Sequence, residues 1–506
     1  MRQEKAMRIL RRISQGIFFL LFFLLFLLAS YPLRAKIPVD FFLRFDPLLG
    51  ISSSLASRSF LLKSLPGLIL LLLVIFLGRF FCGWICPMGT TIDAFHYLFR
   101  IKHDNKRSLN LKWLKFGFLV VVLTAAIFSV QIVGFVDPIP LFTRTVVTGI
   151  YRLFVLLADG LLGFLMSVTL IQDTIFRLNE VLRGFILPIN IVFFQSSVII
   201  FTIFLVILAL EFVQRRFWCR NLCPLGALLG LFSKMRLYRR RVSEDCTNCG
   251  LCRNSCRMDA IASDFKTTDS TECISCMDCQ KVCPVNAVSF GFTKKPEVTR
   301  IDFSRRRFLT AGVAGFLAAG ALRIGFSNPI KKGYIIRPPG AVDEDNFLDK
   351  CVRCGECIRV CSTAGGGLQY TNLGNGLEKL WTPVLVPEAG YCEYNCNLCG
   401  QVCPTGAIQP LNLMQKQKQK IGTAHFNKTR CIPWYYGENC MVCEEHCPLP
   451  EKAIKFRESK IITIDGENAT VLLPYVDEEL CIGCLLYTSD AADELDGVDL
   501  GGRRII

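Results

Sequence analysis

Cys246-Thr247-Asn248-Cys249-Gly250-Leu251-Cys252-Arg253-Asn254-Ser255-Cys256 is followed by Cys273-Ile274-Ser275-Cys276-Met277-Asp278-Cys279-Gln280-Lys281-Val282-Cys283-Pro284. Each stretch steps three thiols at C-x2-C-x2-C and adds a fourth after x3. Three thiolates on one tight loop reach three corners of an iron–sulfur cubane, and the fourth cysteine of each run ligates the other cluster. The pattern predicts one 4Fe–4S centre on Cys246, Cys249, Cys252 and Cys283. A second falls on Cys273, Cys276, Cys279 and Cys256. Zinc is the rival, but its sites show paired C-x2-C steps rather than three stepped thiolates and a fourth. Proline follows Cys283 whereas Arg257 follows Cys256, a departure that leaves the ligands in place.

Outward from this segment the chain changes character. It has 506 residues, 26 of them cysteine, is 52% hydrophobic and carries a net charge of +16. The length suggests about three modules, and the apolar excess lies in the N-terminal half. Basic residues gather at the ends of apolar runs, as Arg8, Arg11 and Arg12 do and as Arg239, Arg240 and Arg241 do. That placement reads as membrane topology rather than nucleic-acid binding. The fixed cysteine spacings favour metal thiolates over a secreted disulfide scaffold.

Four apolar stretches approach the about 20 residues that a span requires: Ile13 to Ser30, Leu61 to Phe80, Phe116 to Phe135 and Ile189 to Phe212. Lys5 and the following arginines place the N-terminus in the cytoplasm. Tyr151 to Phe176 carries Arg152, Asp159 and Asp173 and is expected to be an interfacial or re-entrant element, since intramembrane charge is costly. The spans form two related halves. Asp46-Pro47 opens one and Asp137-Pro138 the other. The first closes on Arg79-Phe80-Phe81-Cys82-Gly83-Trp84-Ile85-Cys86-Pro87, the second on Arg216-Phe217-Trp218-Cys219-Arg220-Asn221-Leu222-Cys223-Pro224. Cys82, Cys86, Cys219 and Cys223 thus form a candidate metal site at the cytoplasmic edge. Thiol redox chemistry and plain packing are the alternatives.

The paired C-x3-C-P strings and the ferredoxin segment behind them resemble the NapH-type membrane subunit of quinol dehydrogenases over about Met1 to Val288. Related polyferredoxin-type membrane proteins include regulators of nitrous oxide reductase.

Ser304-Arg305-Arg306-Arg307-Phe308-Leu309-Thr310 precedes a short Gly/Ala-rich apolar run, Ala311 to Leu322, and looks like an internal twin-arginine export signal. An ordinary fifth span predicts nearly the same topology. Beyond it come Cys351, Cys354, Cys357 and Cys361; then Cys392, Cys396, Cys399 and Cys403-Pro404; then Cys431, Cys440, Cys443 and Cys447-Pro448. Cys481 and Cys484 begin a fourth run that does not finish. The gap between Cys431 and Cys440 holds Pro433, Trp434, Tyr435 and Tyr436, expected to shield clusters and fill core.

From Ser304 to Cys484 the chain resembles the NapG-type polyferredoxin. That resemblance implies that Cys392, Cys396, Cys399 and Cys447 share one cluster and that Cys431, Cys440, Cys443 and Cys403 share another. The outer runs would then pair with each other, lacking two cysteines. Residues 485–506 break the pattern and read as a non-native tail.

The expected architecture is an α-helical membrane domain with four spans in two repeats and a short fifth signal or anchor span, joined to two α+β bacterial-ferredoxin-like domains. Its parts are the transmembrane domain 1–240, a cytoplasmic two-cluster ferredoxin 241–292, a linker and signal 293–327, a periplasmic polyferredoxin 328–484 and the tail. No Cys-x2-Cys-His occurs, the histidines (His96, His103, His425, His446) lie outside the spans, and no flavin fingerprint stands out. Iron–sulfur clusters are the expected cofactors, with no haem and no flavin. The resemblances imply an inner-membrane protein that takes electrons from the quinone pool and passes them to a periplasmic reductase or c-type cytochrome. Asp46, Arg58, Asp137 and Arg144 are candidates for the quinol site. Two other classes stay open: a maturation or metal-reducing factor, and a passive wiring subunit.

Overall fold

The computed structural model describes residues 2–33, 37–101, 109, 111–167, 172–185, 187, 194, 196–293, 303–324, 335–386, 389–429, 431–462, 468–484 and 504–505. The linker residues 294–302 and 325–334 and nearly all of the tail lie outside them.

The N-terminal half is helical because its sequence is dominated by Leu, Ile, Phe and Val without proline interruptions inside the long runs. Two helices are long and apolar enough to cross a membrane, Ile9–Leu28 and Pro138–Met166. This departs from the expected four spans. Leu62–Leu77, Trp113–Ile127 and Ser197–Phe212 are apolar but shorter, so the four-span, two-repeat arrangement is not carried by the structure. Of the segment expected to be interfacial, Tyr151–Met166 ends a long helix that runs from Pro138 through a π turn, Val146–Ile150, and Gln172 to Phe176 begin the next helix. The charge of Asp159 is compensated: it pairs at 2.8 Å with Arg183 of the amphipathic helix Gln172–Phe185.

Asp46 and Asp137 start their helices in the same way. Each carboxylate accepts backbone N–H bonds from the first turn, Asp46 from Leu48 and Leu49 and Asp137 from Ile139, with proline at the first helical position. Proline there loses no bond, because that N–H has no intrahelical partner.

Strand Tyr238–Val242 pairs antiparallel with Val288–Phe292 and closes the first ferredoxin module around its two cysteine runs. The second module contains the short pair Leu368–Tyr370 and Pro383–Leu385 and the longer hairpin Ile454–Ile462 with Asn468–Val476.

The N-terminal helix sets the spacing of these modules. At one end Arg11 approaches Asp278 of the first ferredoxin at 3.7 Å and Gln15 donates to Asp93. At the other, the Phe26 carbonyl accepts from Arg359 Nε and Tyr31 N–H donates to Thr363, both of the second ferredoxin. From Arg11 to Phe26 the helix rises about 22 Å, so the modules occupy opposite ends of the helical layer. Arg305–Ile324 returns the chain between them. It lies parallel to Trp113–Ile127, with Arg307 over the Trp113 ring and Phe316 against Phe128. Lys112, beside Trp113, reaches the Asp259 carbonyl of the first module. Gln131, past the far end, lies beside Asp349 of the second.

Candidate metal centres

Three of the cysteine runs share a backbone device. Asn248 and Gly250, Ser275 and Met277, and Arg353 and Gly355 flank the second cysteine of their runs, and all have left-handed φ between 51° and 88°. Side chains other than glycine avoid this region. Adopting it on both sides of one cysteine coils the loop so that its three thiols become neighbours. The fourth cysteines receive backbone donors: Ala260 N–H to Cys256 Sγ at 3.3 Å, Ala287 N–H to Cys283 at 3.2 Å and Ile408 N–H to Cys403 at 3.5 Å. N–H donation to sulfur stabilises thiolate and is a lever on cluster potential.

In the first module Cys256 neighbours Cys273, Cys276 and Cys279, and Cys252 neighbours Cys246 and Cys249. The neighbours of Cys256 are those that the crossed pairing requires for one of the two clusters. Burial, then the Cys276 thiolate, pushes Cys256 up to about 12. Such thiols ionise when a cation offsets the cost, which iron supplies. The donor set therefore fits a cubane. Among the described residues no three His, Cys, Asp or Glu side chains converge on a single metal ion. A cubane asks for a wider set, because each thiolate takes its own iron.

The second module differs from the pairing implied by resemblance. Cys351, Cys354, Cys357 and Cys403 line one cavity. Cys361 lies instead with Cys392, Cys396 and Cys399. The first and second runs thus cross-pair as the bacterial two-cluster pattern does, and Cys351 to Cys361 need no partner from the unfinished fourth run. The physical reason is local: Gly365, Gly366 and Gly367 let the chain fold back onto Tyr391, where the Cβ of any other residue at Gly365 would approach the Tyr391 carbonyl to 2.2 Å. That contact brings Cys361 to Cys392. Cys484 stays close to the second run, since Cys392 N–H donates to its carbonyl, and Cys481 Sγ accepts from Ala424 N–H at 3.5 Å. Trp434 packs on the long hairpin, donating to the Pro474 carbonyl under Lys428 and Arg457.

Cys82, Cys86, Cys219 and Cys223 come together as buried neighbours. Cys86 and Cys223 both cap helices that open with proline, Pro87–Leu98 and Pro224–Ser233. An arginine from each string crosses to the other. Arg216 donates to the Cys82 and Gly89 carbonyls. Arg79 lies so close to the second string that a Cβ on Gly226 would approach its guanidinium to 2.7 Å. Burial pushes the Cys86, Cys219 and Cys223 thiols above their ordinary value, and at Cys86 and Cys219 the Arg216 charge offsets only part of that, so a bound cation is needed to hold them as thiolates.

This site abuts the first ferredoxin. A Cβ on Gly83 would approach the Ile274 carbonyl, between Cys273 and Cys276, to 2.8 Å. Arg79 bonds the Thr271 carbonyl and Glu272, and Lys115 makes a short ion pair with Glu272. Burial pushes the Glu272 carboxyl up, but Lys115 and Arg79 outweigh it and hold it below its ordinary value. Asp93 is likewise pushed up by burial and pulled well down by Arg216 and Arg257. Arg257, which replaces the proline expected after Cys256, pairs with Asp93 at 2.7 Å and Asp278 at 2.5 Å. Sequence reading missed this docking role. The broken Cys-Pro rule at Arg257 was the available signal.

The quinol-site candidates separate. Arg144 is buried, bonds the Gly134 and Arg353 carbonyls and lies over Trp381, so it docks the second module. Asp46 and Asp137 meet each other. Arg58 is exposed and lines a cavity.

Stepped thiols on coiled loops, paired into neighbouring cubane cradles, define an iron–sulfur electron-transfer protein of the ferredoxin type. The 4Fe-4S binding domain family matches residues 65–106, 195–243 and 399–421, and a second family of the same description matches 266–289. The ferredoxin-type protein NapG of Escherichia coli (strain K12) is 34% identical over 186 residues, 36% of this chain and 78% of NapG. The methylamine utilization ferredoxin-type protein MauM of Methylorubrum extorquens is 34% identical over 187 residues, 36% of this chain and 81% of MauM. An uncharacterized protein of Methanocaldococcus jannaschii is 26% identical over 261 residues, 50% of this chain and 74% of its own length. No solved structure matches. The chain belongs to the NapG/MauM ferredoxin-type family and carries several 4Fe–4S-binding motifs.

Proposed function

We propose that this chain is a membrane-bound quinol-oxidising electron-transfer protein in which a NapH-like half and a NapG-like half are fused. Electrons from quinol pass through the iron–sulfur centres to a periplasmic reductase or c-type cytochrome. The internal arginine-rich segment acts as the export signal that carries the NapG-like module to the outer face. Cys82, Cys86, Cys219 and Cys223 hold a further 4Fe–4S centre; the family matches at 65–106 and 195–243 both contain a C-x3-C-P string.

One observation carries this reading. A single continuous core contains Cys82, Cys86, Cys219 and Cys223 together with Cys351, Cys354, Cys357 and Cys403, and Cys256, Cys273 and Cys276 pack against it. Centres at these positions would share one water-excluded core that reaches both ferredoxin modules. The clusters supply one-electron steps; the chain's part is to place the thiolates, exclude water and tune potential through N–H···S bonds and arginine charge.

The test uses anaerobic protein in liposomes. A menaquinol analogue should reduce the clusters without any protein partner, and Cys82→Ser should lose one EPR signal while keeping the others. Reduction by a protein donor alone would leave only a wiring role. An unchanged spectrum in Cys82→Ser would remove the membrane-edge centre.

A further inference from the structure

Behind the helix Pro47–Ala56 lies a cavity of about 380 Å³, within the size range of small-ligand sites. Pro47, Gly50, Leu55 and Leu68 line it together with Arg58, which is exposed. The lining is apolar except for that guanidinium and the serines, chiefly Ser54 and Ser64. Around it Phe60 is 66% exposed and Leu62 73% exposed, a surface that suits lipid rather than water. The same loop touches an iron–sulfur cradle: Lys63 Nζ donates to the Cys403 carbonyl at 2.9 Å.

We propose that this cavity binds the ring of a lipid-phase quinol, with its isoprenoid tail leaving past Phe60 and Leu62. The assignment rests on the quinol-oxidising reading above. An apolar slot accepts the ring, while the hydroxyls of Ser54 and Ser64 and the Arg58 guanidinium offer hydrogen bonds to the ring oxygens. Oxidation there breaks both quinol O–H bonds and leaves quinone. The two electrons depart singly to 4Fe–4S centres of the second module, beginning at the Cys351, Cys354, Cys357 and Cys403 cradle. The two protons pass to water at Arg58. The site thus feeds the second module directly, on the side of the helical layer away from the first ferredoxin.

The test uses full-length protein in lipid nanodiscs and a photoactivatable azidoquinone. Label should map to residues 47–68 and fall by at least about tenfold in Ser54→Trp and in Leu68→Trp, each of which fills the cavity. Dithionite-reduced EPR spectra of both variants should match wild type, which shows that the cradles remain assembled. Label mapping elsewhere, or equal labelling in intact variants, overturns the cavity assignment. A wild-type protein labelled at 47–68 but not reduced by menaquinol analogue supports binding here and overturns the quinol-oxidising reading instead.

Discussion

The carboxyls of Asp46 and Asp137 meet at the junction of the two halves, fully buried, each as the cap of its own helix. One oxygen of each is satisfied by backbone N–H groups, and for the other, Oδ2 in both cases, no donor other than the facing carboxyl is found among the described residues. Two buried carboxylates facing each other repel strongly, and burial pushes both carboxyls up, which favours one proton held between them. An infrared band from a protonated carboxylic acid should be present in wild type. Asp46→Asn should abolish it, because the amide donates to Asp137 while its oxygen keeps the cap. Asp46→Ala removes cap and partner together and should cost about 1–3 kcal/mol. Persistence of the band in both Asp46→Asn and Asp137→Asn would show that the proton resides elsewhere.

Arg257, Asp93, Asp278 and Arg216 fasten the first ferredoxin onto the helical half. Asp93 meets both arginines at 2.7–2.8 Å in near-complete burial. Removing one member leaves uncompensated buried charge, which costs about 3–5 kcal/mol. Asp93→Ala should therefore lower the denaturation midpoint sharply and open the clusters of this module to chelators. Raising the salt concentration in wild type should do little, since buried pairs are weakly screened. Chelation rates equal to wild type would overturn the docking role.

Much of this was legible in the sequence, and the limits have physical causes. The spacing from Cys246 to Cys283 specifies a local loop geometry, so the approach of Cys256 to Cys273, Cys276 and Cys279 could be read directly. The C-x3-C-P strings could be matched to each other, but only folding brings Arg79 and Arg216 across to the opposite string. The helices Leu62–Leu77 and Trp113–Ile127 are shorter than the apolar stretches suggested, because hydropathy does not register where a helix ends, and part of the stretch Ile189 to Phe212 lies outside the described residues. The helix Tyr151–Met166 within the Tyr151 to Phe176 segment could not be seen to have its charge compensated, because the partner of Asp159, Arg183, lies a helix away.

Glu344 supplies a pH-dependent contribution in the second module. It forms a bidentate pair with Arg337, at 2.7 and 2.8 Å. Burial raises its carboxyl, but the Arg337 hydrogen bonds and charge outweigh this and hold it below the ordinary value. A depressed carboxyl stabilises above its unfolded pKa, about 4.3, and the contribution fades as pH falls through the folded value. Glu344 is 36% exposed, so solvent screening limits the effect to about 1 kcal/mol. Glu344→Gln should lower the melting temperature of full-length protein at pH 7, and the difference should shrink progressively below pH ~4. A constant difference across that range would assign the effect to packing on Phe347, over which Arg337 also lies.

The pairing of the second module makes the sharpest spectroscopic prediction. Cys403 lies with Cys351, Cys354 and Cys357 around one cavity, whereas resemblance assigns it to Cys431, Cys440 and Cys443. Serine is a poorer ligand for iron than thiolate, so a single Cys→Ser exchange perturbs or removes the cluster it serves. Cys403→Ser and Cys351→Ser should therefore alter the same EPR signal, and Cys361→Ser should alter the signal affected by Cys399→Ser. Cys443→Ser should leave both untouched. The choice of partner decides the electron's route: with Cys403 in the first cradle, the centre nearest Lys63 is complete without the unfinished run at Cys481 and Cys484. Were Cys403→Ser to share its signal with Cys443→Ser instead, the glycine-mediated contact between Gly365 and Tyr391 would not govern ligand pairing.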